Sequence, residues 1–445
     1  MSDWDEAEKR IEKAHEFYER GRWEDALREL TAAIAINPYN SSWFFNLGLT
    51  LDMMERFDEA IGAYRRALEM DPDDVETLNA LGSDCTRSGQ HVEAIKHFER
   101  IEQIDPSYEP CYCNRIIAYA QQGQHDRAEE MFYLARQYKE KCPLCFYNMG
   151  NSLMTRGQFD RALWCWNQVL ELEPQHSQVH ARIAEAYWAK GQLSEARAHF
   201  LDELRSNPGD IDTLLDLGEL LVEMGELIAA GEKFRHVLEL SPEDCTAHFH
   251  LGELALQAND LPAAIAQFRR VIHNDKNYPS AHLRLAQIYA RQREMSEALF
   301  HANSELAQTE LDERTLLELG NLFMDLQQAG SAETAFGRAL AVNPQNAEAR
   351  HNLAVTLLLV GRVDEGIEQC KQALRIQPKF MLALSNLALA YTTRKDYPRA
   401  TYFLREAMDI APEDPQLKQL QSRLKFLTFM HWLKALPRRL IGRGK

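Results

Sequence analysis

The chain repeats itself every 34 residues: rows beginning at Ala7 run twelve times, through Asp414, without an insertion or a deletion. A phase that never slips leaves few architectures open, because each row must be one supersecondary unit that completes its core against its neighbours. Column 20 of the row is Ala in eleven of twelve rows, from Ala26 to Ala400, with Gly366 as the departure. Column 8 is Gly or Ala in eleven, with Ile116 as the exception. Apolar residues fill column 7 in ten rows (Leu47, Leu81 and Met149 among them), and mostly aromatic ones fill column 24 (Tyr64, Phe98, Trp166). This spacing predicts two helices per row, packed so closely that small residues are needed where they cross. Column 32 is Pro in nine rows, where it excludes helix from the preceding residue and ends the second helix. Rows four, eight and nine carry Glu140, Lys276 and Glu310 there instead, which predicts looser packing in those rows.

A period of 34 with these columns resembles the tetratricopeptide repeat over residues 7–414. The resemblance implies an all-α fold: an α-solenoid, a right-handed superhelix of about twelve helix-turn-helix repeats. Residues 1–6 would form a short lead-in and 415–445 a capping helix with a basic tail. It also implies that the first helix of each row lines a concave groove where partner proteins bind, through columns 2, 5, 6, 9, 12 and 13.

Column 6 is Asn in five rows: Asn46, Asn114, Asn148, Asn352 and Asn386. A carboxamide offers both donor and acceptor, so such residues one repeat apart can hold the backbone of an extended peptide whatever its side chains. The pattern is similar to the asparagine ladder in the repeat region of O-GlcNAc transferases, although here it is interrupted between Arg182 and Glu318. A solvated polar column common to the repeat is the plainer reading. Column 9 places Glu185, Glu219 and Glu253 in successive rows, joined by Asp216 and Glu223. An acidic strip of that kind favours ligand segments carrying Lys or Arg, against the alternative of a merely solvated face. Tyr147 and Trp188 add apolar surface for side-chain selection. No row has Lys in column 5, which argues against the carboxylate clamp that this repeat family uses on chaperone tails.

Charge narrows the partners. With 50 Lys and Arg against 67 Asp and Glu the net charge is −17, unlike a chain that neutralises phosphates, so no nucleic-acid partner is expected. The acidic amino terminus has no apolar core of a signal peptide, and a cytoplasmic location is the expectation. Gly-rich phosphate loops, His-Glu-x-x-His strings and triad spacings are missing from the sequence, so no catalytic residue and no cofactor are assigned. The expected function is a non-catalytic interaction scaffold for protein or peptide ligands. The alternative is a targeting or regulatory subunit of an enzyme encoded elsewhere, glycosyltransferase-like for example, or a thiol or zinc site.

That last reading rests on Cys111-Tyr-Cys113 and Cys142-Pro-Leu-Cys145, at the starts of consecutive first helices. Four thiolates could hold zinc, and Cys111 and Cys145 share column 3. Ordinary reduced cysteines are the simpler expectation, and no metal is assigned. His176 and His180 lie one row later. Residues 415–445 carry eight Lys and Arg and no acid. Leu417, Leu420, Leu424, Leu427 and Met430 suit a helix that caps row twelve. A second stripe, Phe426, Phe429, Trp432, Leu433 and Leu436, flanked by Lys425, Lys434, Arg438 and Arg439 and ended by Pro437, suits peripheral contact with an anionic membrane or an acidic groove.

Overall fold

The computed structural model describes residues 3–435, with side chains from Trp4 to Trp432; Leu436, Pro437, Arg438 and Arg439 of the expected basic stripe lie outside them. The chain is an all-α solenoid: twenty-five helices among the described residues form twelve consecutive pairs, followed by a final helix, Pro415–Ala435. Within each of two compact units, helices of a pair pack on each other and on those of the next pair. Packing divides the chain into two compact units, one ending at Glu226 and the other beginning at Leu227. The division falls inside row seven, between its first helix, Ile211–Glu223, and its second, Leu227–Leu240.

The small columns have two different physical causes. Column 20 alanines, among them Ala26, Ala94 and Ala298, have no solvent exposure and sit at the close crossing of the paired helices. Column 8 glycines instead make room for a ring. A Cβ on Gly48 would lie 2.3 Å from Tyr64, one on Gly150 2.5 Å from Trp166, and one on Gly320 2.3 Å from Phe336. The partner is in each case the column 24 aromatic of the same row, so these two columns are one packing device and not independent ones.

Each first helix ends on a left-handed residue at column 15. Gly occupies it in seven rows, with φ near +70° as at Gly21 and Gly123, and Glu55, Asn259, Arg293, Gln327 and Lys395 adopt the same conformation. Second helices stop two residues before the column 32 proline, as at Ile36 before Pro38 and Ile410 before Pro412. Row four keeps the same turn without proline: Lys139 has φ −139° and ψ 95°, against φ −134° and ψ 97° at Asn37. Proline therefore reinforces this boundary without creating it.

Rows six and nine depart from the rest in a shared way. Their column 27, elsewhere Ala, Val or Ile, is Glu203 and Glu305, both buried. The carboxylates accept the backbone N–H of Gln178 (3.0 Å) and Ser280 (2.8 Å), left-handed residues that open the first helices Val179–Ala189 and Ala281–Arg291. Burial of a charge is tolerated here because the orphan donors of a helix start surround it. In the same two rows His180 faces His199 (Nδ1 to Nδ1 3.1 Å) and His282 faces His301 (2.8 Å).

Leu417 and Leu424 of the final helix are buried in the core with Ala400 and Leu404. Phe426, Phe429, Met430 and Trp432 are exposed, so Met430 leaves the capping stripe to which its spacing assigned it. No helix among the described residues is long and apolar enough to cross a membrane.

Candidate functional site

The asparagines of column 6 fall into two groups by their surroundings. Asn46 is exposed and, with Ile11, Tyr18, Leu30 and Leu49, lines a pocket at the start of the first unit. The other four reach the preceding first helix. Asn114 donates to Asn79 Oδ1 (2.9 Å) and Ser83 Oγ (3.1 Å), Asn148 to the Cys113 carbonyl (3.4 Å), and Asn352 to Asn321 Oδ1 (3.1 Å). Asn386 Nδ2 lies 3.3 Å from His351 Nδ1. Sequence separations of 31 and 35 show that neighbouring first helices interleave their side chains instead of eclipsing them at 34.

Carboxylates gather in the first unit. Asp216 feels Glu185, Glu219 and Asp212; burial first, then these charges, push its carboxyl up to about 6, with Arg182 acting against them. Arg182 is itself held by both oxygens of Glu185 at 2.9 Å. Trp188 donates its indole N–H to Glu223 at 2.6 Å and meets Phe200 edge-on. Tyr147 stacks on His176 with ring centroids 5.2 Å apart, and its hydroxyl lies 3.4 Å from Gln178 Oε1. Glu253 belongs to the second unit, where Arg284 pairs with it at 2.8 Å and with Glu318 at 2.9 Å. Asp216 and its neighbours thus form a carboxylate-rich patch in the first unit, and in the second Arg284 offsets part of the charge of Glu253 and Glu318.

The thiols are arranged differently from the expectation. Cys113 and Cys145 are joined by a disulfide, so these two are not free thiols, and Cys145 pairs with Cys113 and not with Cys111, with which it shares a column. Interleaving of the two first helices, Glu109–Gln121 and Pro143–Thr155, explains the shift of partner. Cys142 Sγ is 3.6 Å from Cys113 Sγ. Glu109 completes the group: its Oε1 is 2.9 Å from Cys113 Sγ and 3.3 Å from Cys145 Sγ. These four donor atoms lie within 4.8 Å of one another, and Cys111 is not among them. Cysteine spacing does not point to Glu109, although it stands one helical turn before Cys113 and so on the same face. His176 and His180 do not join the group, being engaged by Tyr147 and His199. Burial and Glu109 hold the Cys142 thiol up to about 11, which keeps it protonated at neutral pH and a poor nucleophile.

Comparison with known proteins agrees with this architecture. Family models described as tetratricopeptide repeat match residues 11–75, 53–109 and 147–211, and another so described matches 110–132. The C-terminal domain of cilia and flagella-associated protein 70 matches residues 241–431. The chain is 31% identical over 100 residues to small glutamine-rich tetratricopeptide repeat-containing protein 2 of Mycosarcoma maydis, covering 22% of this chain and 28% of that protein. It is 27% identical over 116 residues to the TPR repeat-containing thioredoxin TTL4 of Arabidopsis thaliana, covering 26% of this chain and 17% of that one. The matches therefore span less than a third of either relative. A solved tetratricopeptide repeat protein from Parabacteroides merdae is similar at 20% identity, with a TM-score of 0.48, over 57% of this chain and 99% of that one.

Proposed function

The chain belongs to the tetratricopeptide-repeat proteins, and from that premise we propose that it is a non-catalytic scaffold binding extended peptide segments of partner proteins along its first helices. Within the first unit the preferred segments carry Lys or Arg. The observation that carries this reading is the gathering of carboxylates around Asp216, whose carboxyl is raised by burial first and then by Glu185 and Glu219, with Arg182 acting against them. A ligand's ammonium or guanidinium would relieve that crowding, and partial burial strengthens the attraction over that at an open surface. Trp188 beside Glu223 offers an aromatic surface next to the charge.

Backbone recognition falls chiefly to Asn46, exposed in its pocket beside Tyr18 and Leu49. Asn114, Asn148, Asn352 and Asn386 each spend a donor on the neighbouring repeat, so their contribution is to present the remaining amide groups in a fixed orientation.

A peptide array probed with the full chain and with a Glu185→Gln, Glu219→Gln double variant tests the reading. The wild type should select Lys- or Arg-bearing peptides that the variant no longer retains. Equal retention of the same peptides by both proteins contradicts it.

A further inference from the structure

We propose that in the reduced chain Glu109, Cys113, Cys142 and Cys145 form a tetrahedral zinc site that ties the first helix of row four to that of row five. Four donor atoms, three sulfurs and one carboxylate oxygen, come within 4.8 Å of one another. Zinc takes four ligands of this kind, and a Zn–S bond of about 2.3 Å puts two thiolates on one ion about 3.7 Å apart. Cys142 and Cys113 are 3.6 Å apart.

Glu109 is the second observation. A disulfide sulfur carries no proton, so in the oxidised form an oxygen 2.9 Å from Cys113 Sγ and 3.3 Å from Cys145 Sγ sets lone pairs against lone pairs. A cation among the four atoms turns the same approaches into edges of one coordination shell. Sulfur-rich donors with a single carboxylate select zinc over magnesium or calcium, which prefer oxygen alone.

The elements that hold the donors are suited to anionic ligands. Glu109 begins one helix and Cys142 immediately precedes the next, so both helix dipoles point their positive ends at the group. Asn148 donates to the Cys113 carbonyl at 3.4 Å, tying the helix that carries Cys145 to the one that carries Cys113. Cys113, Cys142 and Cys145 are all buried, which keeps competing water away.

The chemistry balances through two steps. Two molecules of a small thiol such as glutathione reduce the Cys113–Cys145 bond, giving two electrons and two protons to the sulfurs and joining to each other as a disulfide. Zn²⁺ then replaces three thiol protons, which leave to solvent as the Zn–S bonds form.

The test is the zinc content of the full, untagged chain, reduced with a phosphine, incubated with zinc and passed through gel filtration. About one zinc per chain should remain, and cobalt in its place should give an intense near-ultraviolet thiolate-to-metal band. Cys142→Ser should lose the metal and Glu109→Gln should weaken its retention, while Cys111→Ser keeps it; circular dichroism checks that each is folded. A folded, reduced wild type that retains no zinc and gives no cobalt band overturns the proposal. So does equal loss on Cys111→Ser, or acid-quenched alkylation of the cellular protein that finds Cys113 joined to Cys145 with no metal.

Discussion

Glu305, a carboxylate with no solvent exposure, accepts the backbone N–H of Ser280 at 2.8 Å and that of Leu283 at 3.0 Å. One side chain from the second helix thereby satisfies the start of the first helix in row nine. Removing it orphans buried donors, at a cost of about 1.5–3 kcal/mol for charge-assisted bonds. Glu305→Ala should lower the melting temperature of the second unit, and Glu305→Gln, which can still accept one bond, should lower it less. Equal melting of all three proteins would show that these donors find water instead.

The histidine pair of the same row makes stability depend on acid. His301 is pushed down to about 4, by burial first and then by His282, while an unfolded histidine titrates near 6.5. The unfolded chain therefore binds the proton more readily between those values, so stability should fall as pH drops from about 6.5 toward 4. Row eight offers the repair: Gln267 there bonds His248 at 2.7 Å in the equivalent position. His301→Gln should flatten the loss of melting temperature between pH 7 and pH 4.5, and parallel curves for the two proteins would refute this.

Asp84 has the opposite sign. Burial, with Asp52 beside it, raises its carboxyl from 3.8 to about 7, so ionisation in the folded state is resisted. Its contribution to stability is present below the unfolded value and is lost as pH rises through about 7. Asp84→Asn should raise the melting temperature by about 2–4 °C at pH 8 and leave it nearly unchanged at pH 4. A stabilisation equal at both pH values would place the effect elsewhere.

Glycines of one sequence should respond to alanine in three ways. Gly320→Ala drives a methyl against the Phe336 ring, and overpacking of this kind costs about 1–3 kcal/mol. Gly62→Ala, inside the helix Phe57–Met70 with nothing within 4 Å, should stabilise by about 0.5–1 kcal/mol. Gly89→Ala meets open space but sits at φ +77°, so it should destabilise through the backbone alone, by about 1 kcal/mol. Chemical denaturation of the three variants orders them, and any other order would break the link between column and cause.

How much of this was legible in the sequence follows from the physics of each feature. Period, helix pairing and the small columns were readable because core packing repeats strictly along the chain. The Gly320–Phe336 contact was half readable: both columns stood out, but not that one exists for the other. Column 6 leaves two readings open, since a carboxamide such as Asn148 can turn to a ligand or to the preceding helix, and spacing cannot distinguish these. Pairing of Cys113 with Cys145 escaped because columns compare residues 34 apart, whereas interleaved helices meet at 31, 32 and 35. Glu109 escaped because a search for metal ligands by cysteine spacing passes over a carboxylate.

The most direct measurement of the central claim is calorimetric titration of the full chain with an extended Lys-bearing peptide selected on the array, at low and at high salt. Binding through the patch around Asp216 predicts affinity that weakens as salt rises and falls by about tenfold in the Glu185→Gln, Glu219→Gln variant. Affinity indifferent both to salt and to those two carboxylates would contradict it.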